Sequence, residues 1–151
     1  LPISFAKGAI AFKGFSSDPD MVALRDEVGK NPGAELRGPN VYRMAYGVPD
    51  SPPRPVLGQR LYHMPRKNMA AALALAPELD KLMQTQDVTI GIGVPIVAED
   101  HEMMGIVYRF NSIEHWGQAV DAMVENQEFS SLVEQANALG TLKASRILLS
   151  M

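Results

Sequence analysis

Cysteine is absent from this 151-residue chain, and tryptophan occurs once. The first absence removes disulfides, thiolate metal sites and a cysteine nucleophile together, so packing or assembly must hold the fold. It fits a reducing, cytoplasmic setting. A dominant charge is lacking too: the formal charge is -3 and the basic residues are dispersed, which gives no electrostatic stripe for a phosphate backbone. Nucleic acid is therefore not an expected partner. Long apolar runs are missing, because even Val88 to Ala98 is broken by Gly91, Gly93 and Pro95, and no membrane-spanning segment is expected. No basic-then-apolar leader is visible, and the start at Leu1 instead of methionine is read as residues removed from, or lying ahead of, the chain.

The usual cofactor signatures are also missing. Gly91-Ile92-Gly93 is not followed by a third glycine and a helix, no Gly-Lys-Ser/Thr loop occurs, and no serine-hydrolase elbow occurs. His63, His101 and His115 are the whole supply of imidazole and stand far apart in sequence. None is paired with another ligand at metal-binding spacing, so no metal site and no tightly bound cofactor is expected.

What is present, 46% hydrophobic and 21% charged residues, suits a globular domain with a real core. The second half is the clearer. After the proline-rich stretch Pro49 to Pro55, read as a linker, Val56 to Met64 alternates with both faces occupied, as a strand would. The Ala- and Leu-rich run from Asn68 predicts a helix that Pro77 kinks or divides. Val88, Ile90, Ile92, Val94 and Ile96 keep strict period two while Gly91 and Gly93 empty the other face, leaving room for something close by. Glu99 to Glu102 makes a polar turn into the strand Met103 to Phe110. Asn111 or Ser112 caps a helix carrying Ile113, Trp116, Val120, Met123 and Val124. Glu125 to Glu128 interrupts the stripe, Phe129 to Leu139 resumes it, Gly140 ends it, and Leu142 to Met151 supplies a last strand.

That order, β-α-β-β-α-β, predicts an α+β ferredoxin-like sandwich, a four-stranded antiparallel sheet with two helices on one face, over residues 56–151. Residues 1–48 read β-α-β: Ile3 to Phe15 extended, Asp18 to Lys30 helical, Leu36 to Val48 extended. Phe12-Lys13-Gly14-Phe15-Ser16 echoes Tyr108-Arg109-Phe110-Asn111-Ser112. The first half then reads either as the end of a degenerate tandem repeat or as extra elements packed on one domain.

The segment Tyr108-Arg-Phe-Asn-Ser-Ile-Glu-His-Trp-Gly, with the helix closing Phe129-Ser-Ser-Leu-Val-Glu-Gln-Ala-Asn-Ala-Leu-Gly, resembles the dimeric α/β-barrel superfamily of antibiotic-biosynthesis monooxygenases, EthD-like and NIPSNAP-like proteins. The resemblance covers about the last two-fifths of the chain. It implies sheet pairing with a second copy, or with a first repeat, around a pocket for a small hydrophobic or aromatic ligand. It also implies cofactor-independent oxidation of a phenolic or polyketide-like substrate, or else a non-catalytic binding or assembly role. Haem binding is a second alternative that the resemblance implies, through a haem-degrading branch that uses an Asn, a Trp and a His, an arrangement that adjacent His115-Trp116 does not match.

Several residues are candidates for such a pocket. His63, at a strand end beside Tyr62, is the best-placed acid-base group, and Tyr62, His63 and Arg109 form the expected catalytic set; alternatively His63 is a half-exposed strand residue bonded to a neighbour. Arg60, Tyr108, Trp116 and Arg146 are the expected ligand-binding residues. Arg60, Arg109 and Arg146 stand on three predicted strands, where an inward guanidinium would hold a phenolate or other anionic oxygen; alternatively they pair with Glu35, Glu99 or Glu102. Methionines 64, 69, 83, 103, 104 and 123 offer an adaptable lining or ordinary core. His101 is expected to be solvated.

Overall fold

The computed structural model describes residues 5–30 and 40–150. Backbone contacts divide the chain into two units, Leu1–Gly38 and Pro39–Met151.

The first unit is a pair of helices, α1 (Phe5–Ser17) and α2 (Pro19–Lys30), neither with a buried side chain. Asp18 caps α2, its carboxylate accepting from the backbone N–H groups of Asp20 and Met21 at 3.0 and 3.2 Å. The extended segment expected over Ile3 to Phe15 is thus corrected to a helix across its described part. Ile10 is the one β-branched residue between Phe5 and Phe15. Phe5, Ala9 and Phe12 recur at helical spacing, and the alanines favour helix. The echo between Phe12–Ser16 and Tyr108–Ser112 therefore pairs a helix with a strand-to-helix turn, and the first 48 residues give α-α-β among the described residues instead of β-α-β.

The second unit holds β1 (Val41–Tyr46), β2 (Val56–His63), α3 (Met69–Ala74), α4 (Ala76–Gln84), β3 (Thr89–Val97), β4 (Met103–Phe110), α5 (Ile113–Val124), α6 (Gln127–Leu139) and β5 (Thr141–Leu149). The five strands lie in the order β1-β3-β4-β2-β5, every neighbouring pair antiparallel. From β2 onward this is the expected split βαβ arrangement, with β1 added as an edge against β3. The proline-rich segment consequently runs between two strands of one unit. Asp50 within it accepts from the Thr89 hydroxyl at 2.8 Å and pairs with Arg54 at 3.3 Å.

Local chemistry explains the elements. The helical run divides two residues before Pro77, which sits in the first turn of α4, where its missing N–H costs nothing. Ser112 caps α5 through the His115 N–H, and Asn126 caps α6 through the Phe129 N–H. Gly140 does end α6, but in an extended conformation. Its reason for being glycine is space, since a Cβ would lie 2.6 Å from the His63 carbonyl oxygen.

Val88, Ile90 and Ile92 are buried beneath the helices together with Val56, Tyr108, Phe110, Leu79, Leu82 and Met123. The room left by Gly91 on the opposite face is filled by Arg109. A Cβ on Gly91 would stand 2.6 Å from the Arg109 Nη2 and 3.0 Å from the Met44 sulfur. We therefore expect Gly91→Ala to destabilise the second unit by about 1–3 kcal/mol through overpacking, measured as a lowered urea midpoint, with Met44→Ala restoring part of the loss.

Candidate functional site

Strand alternation places Val56, Gly58, Arg60 and Tyr62 of β2 on the helix side of the sheet, and Leu57, Gln59, Leu61 and His63 on the other. Between the helix side and α5/α6 lies a cavity of about 380 Å³. Its walls are apolar, with Phe110, Trp116, Met123, Phe129 and Ile147 among them, and it borders β5, a strand exposed over nearly its whole length. Gly58 keeps the floor open, because a Cβ there would come 3.2 Å from the Phe110 ring.

The polar contribution comes mainly from Arg60 and Tyr108. Tyr108 is buried, and the Arg60 guanidinium lies near enough to its hydroxyl to act on its ionisation. Burial pushes its pKa up from 10.0 to about 12, with Tyr62 adding to the rise, although Arg60 pulls the other way. Guanidinium has only donors, and the neutral phenol brings an O–H donor of its own. Two donors thus converge in an apolar cavity, an arrangement suited to holding an oxyanion.

The four residues expected to bind ligand, Arg60, Tyr108, Trp116 and Arg146, all line this cavity. Arg146 is paired with Gln59, so alternation turns its side chain toward the opposite face from Ser145 and Ile147. The expected catalytic set is not brought together there. Tyr62 lines a smaller adjoining cavity. Arg109 is only 7% exposed and lies on the far face, where Nη1 donates to the carbonyl oxygens of Val48 and Ile90 at 3.3 and 3.2 Å. It is a packing residue whose charge is solvated by backbone dipoles.

His63 is at the far-face end of β2, with Nδ1 3.9 Å from Asp100 and Nε2 3.5 Å from Glu102. The half-exposed ring thus faces two carboxylates at ion-pair separations. Glu102 also accepts from the Arg66 backbone N–H at 3.1 Å, so it serves the turn and not an arginine side chain. Glu35 lies outside the described residues. His115 has both ring nitrogens engaged: Nδ1 accepts from the Asn111 N–H at 3.0 Å and Nε2 meets the Gln86 carbonyl at 2.6 Å. That fixes the Nε2–H tautomer and ties the start of α5 to the turn after α4. His101 is exposed in its turn. Among the described residues no group of three or more His, Cys, Asp or Glu is placed to hold a metal.

Met83 and Met123, read as lining or as core, and Phe129, legible only as a core position, all line the cavity; helical periodicity marks an inward face without saying whether a void lies behind it. Ser145 was missed altogether, since nothing in an edge strand of mixed pattern distinguishes it.

The Tyr108 environment has a measurable consequence. A phenol whose folded pKa is raised keeps its proton while the unfolded chain loses it. Stability linked to Tyr108 is therefore full below pH 10 and declines as pH rises toward 12. The span from 10.0 to about 12 corresponds to roughly 3 kcal/mol. In a spectrophotometric titration, one tyrosine should ionise well after the others, Tyr108→Phe should abolish that late step, and Arg60→Met should delay it further.

No protein-family model matches the sequence, and no curated protein matches it. Solved structures do. A protein of Fusobacterium nucleatum designated a candidate monooxygenase aligns over 93% of this chain with a TM-score of 0.59 at 6% identity. The chain spans 63% of that protein's length. A NIPSNAP-family protein of Agrobacterium tumefaciens aligns over 74% of this chain and 95% of its own length, with a TM-score of 0.51 at 16% identity. At such identities the likeness is one of architecture: the chain has the ferredoxin-like α+β fold shared by these proteins.

Proposed function

We propose that the protein binds a small aromatic or polyketide-like molecule in the cavity beneath α5 and α6, with an ionised phenol or enol oxygen held by Arg60 and Tyr108. The observation that carries this is the guanidinium–phenol pair in an otherwise largely apolar chamber of about 380 Å³, a volume within the range of small-ligand sites. Among the described residues no His, Asp or Glu lines the chamber, so none of these side chains is suited to take a proton there at neutral pH. The ligand arrives as an anion, or loses its proton to solvent water as it binds because Arg60 favours the charged form.

The finer reading is a cofactor-independent monooxygenase, in which the bound anion is the electron-rich partner of dioxygen. The monooxygenase designation of the Fusobacterium protein supports it at the level of a shared fold. A carrier or assembly subunit using the same chamber is the alternative, favoured by the position of all three histidines outside the cavity lining. The assembly proposed with either is a homodimer through the sheet face that carries Leu57, Leu61, Val107 and Leu148, accessible apolar side chains opposite the helices. Sedimentation velocity of the chain should then give a dimer, and Leu61→Glu a monomer.

The ligand reading is tested with 4-nitro-1-naphthol, whose phenolate absorbs in the visible. Adding protein below the free ionisation midpoint should raise the phenolate band, and Arg60→Met should weaken binding roughly ten- to a hundredfold, the scale of a charge-assisted hydrogen bond. An unchanged affinity in Arg60→Met would sink the assignment. Dioxygen uptake by the protein with the naphthol alone would establish the oxygenase, and binding without uptake the carrier.

A further inference from the structure

A second, smaller cavity of about 50 Å³ adjoins the first and shares Arg60, Tyr108 and Phe129 with it. It extends under α3, α4 and α6, where Ala72, Ala76 and Ala136 form part of the wall. Apart from Arg60, Tyr62 and Tyr108 its lining is apolar. Well-packed interiors hold few voids larger than a water, and on this measure one water needs about 10–15 Å³. The chamber thus has room for roughly three to five heavy atoms. Each alanine contributes one methyl where leucine or methionine would close the gap.

We propose that this chamber is a subsite for a short apolar branch of the ligand, about three carbons long, attached beside the oxygen that Arg60 holds. The inference rests on the ligand reading above and adds the substituent. The polar pair stands at the junction, so an oxyanion anchored there directs one arm of the molecule into the large chamber and an adjacent arm into the small one. Residues Ala72, Ala76 and Ala136 then determine how large that arm can be. A polar arm is disfavoured, because the alanine-lined wall has no partner for it and an unpaired polar group would be desolvated there.

Two readouts test the proposal. Xenon-129 NMR on the intact chain reports whether the chamber takes a small apolar guest without any naphthol present. Titrations then compare 4-nitro-1-naphthol with its 2-propyl derivative in the native protein, in Ala72→Leu and in the milder Ala136→Val. The propyl compound should bind tighter by about fourfold per buried methylene, up to roughly fiftyfold for three carbons. Ala72→Leu should displace xenon and cancel that advantage while leaving the parent naphthol bound, with Ala136→Val giving a partial loss of the same kind should the larger substitution disturb folding. Xenon binding with equal affinities for the two naphthols overturns the branch and leaves the Arg60 assignment standing. Absence of xenon uptake overturns the chamber, and failure of both naphthols to bind overturns the branch together with the reading on which it rests.

Discussion

The alternation of β2 is the constraint on which the arrangement turns. This strand pairs along its length with both β4 and β5, so its two faces are fixed by hydrogen bonding on both sides. One face delivers Val56, Gly58, Arg60 and Tyr62 beneath the helices, and the other delivers Leu57, Gln59, Leu61 and His63 away from them. A slip of one residue would exchange the sets. It would turn His63 to the helix side and Arg60 away from it, and it would set Leu57 or Gln59 in place of Gly58, where even a Cβ would come 3.2 Å from the Phe110 ring.

The opposite face of the sheet solves a different problem, that of a charged residue packed inside a strand. Arg109 is accommodated because Gly91 removes the side chain it would strike, and because the Val48 and Ile90 carbonyls accept from it. Beside it, the Arg54 guanidinium bonds to the carboxylate of Asp87 and to the Arg109 carbonyl. Asp87 also accepts from the Asn111 side chain at 2.8 Å. These donors, the Asn111 amide first and Arg54 second, hold the Asp87 carboxyl below its ordinary pKa. The group thus joins the β1–β2 connection, the turn before β3 and the turn after β4. Arg54 and Arg109, in neighbouring segments, serve as ties, whereas Arg60 lines the cavity.

Much of the fold is legible in sequence because its determinants are local or periodic. Val88 to Ile96 alternates strictly, Pro77 cannot sit within a helix interior, and Ser112 and Asn126 are chemically suited to cap. The α1 segment is not legible in the same way, since a Gly- and Phe-containing apolar run fits either state until spacing is weighed against the shortage of β-branched residues. The site divides along the same line. Arg60, Tyr108 and Trp116 were identifiable as residue types on inward faces, but Arg60 and Arg109 look equivalent in sequence. What separates them is register across three strands, together with a glycine on a neighbouring strand, and neither is a local property. His63 drew attention as the best-placed base, yet its face is settled by the same pleat that buries Tyr62.

The remaining step concerns why the chamber would prefer an anion to a neutral molecule of the same shape. Arg60 is half-buried with a neutral phenol nearby, and among the described residues the cavity lining offers no carboxylate. A guanidinium removed from water without a counter-charge carries an uncompensated desolvation cost. An anionic oxygen at about 4 Å would interact with it by roughly 4 kcal/mol at an effective dielectric near 20, against about 1 kcal/mol in bulk water. A neutral aromatic gains the apolar contacts but none of this difference. Tyr108, held as the neutral phenol by its own burial, adds a donor without adding negative charge, so the pair responds to the charge of the ligand and the apolar walls to its shape. Discrimination at this site therefore divides between two sources, the charge-sensing pair on the helix side of β2 and β4 and the apolar walls drawn from that same face and from α5 and α6.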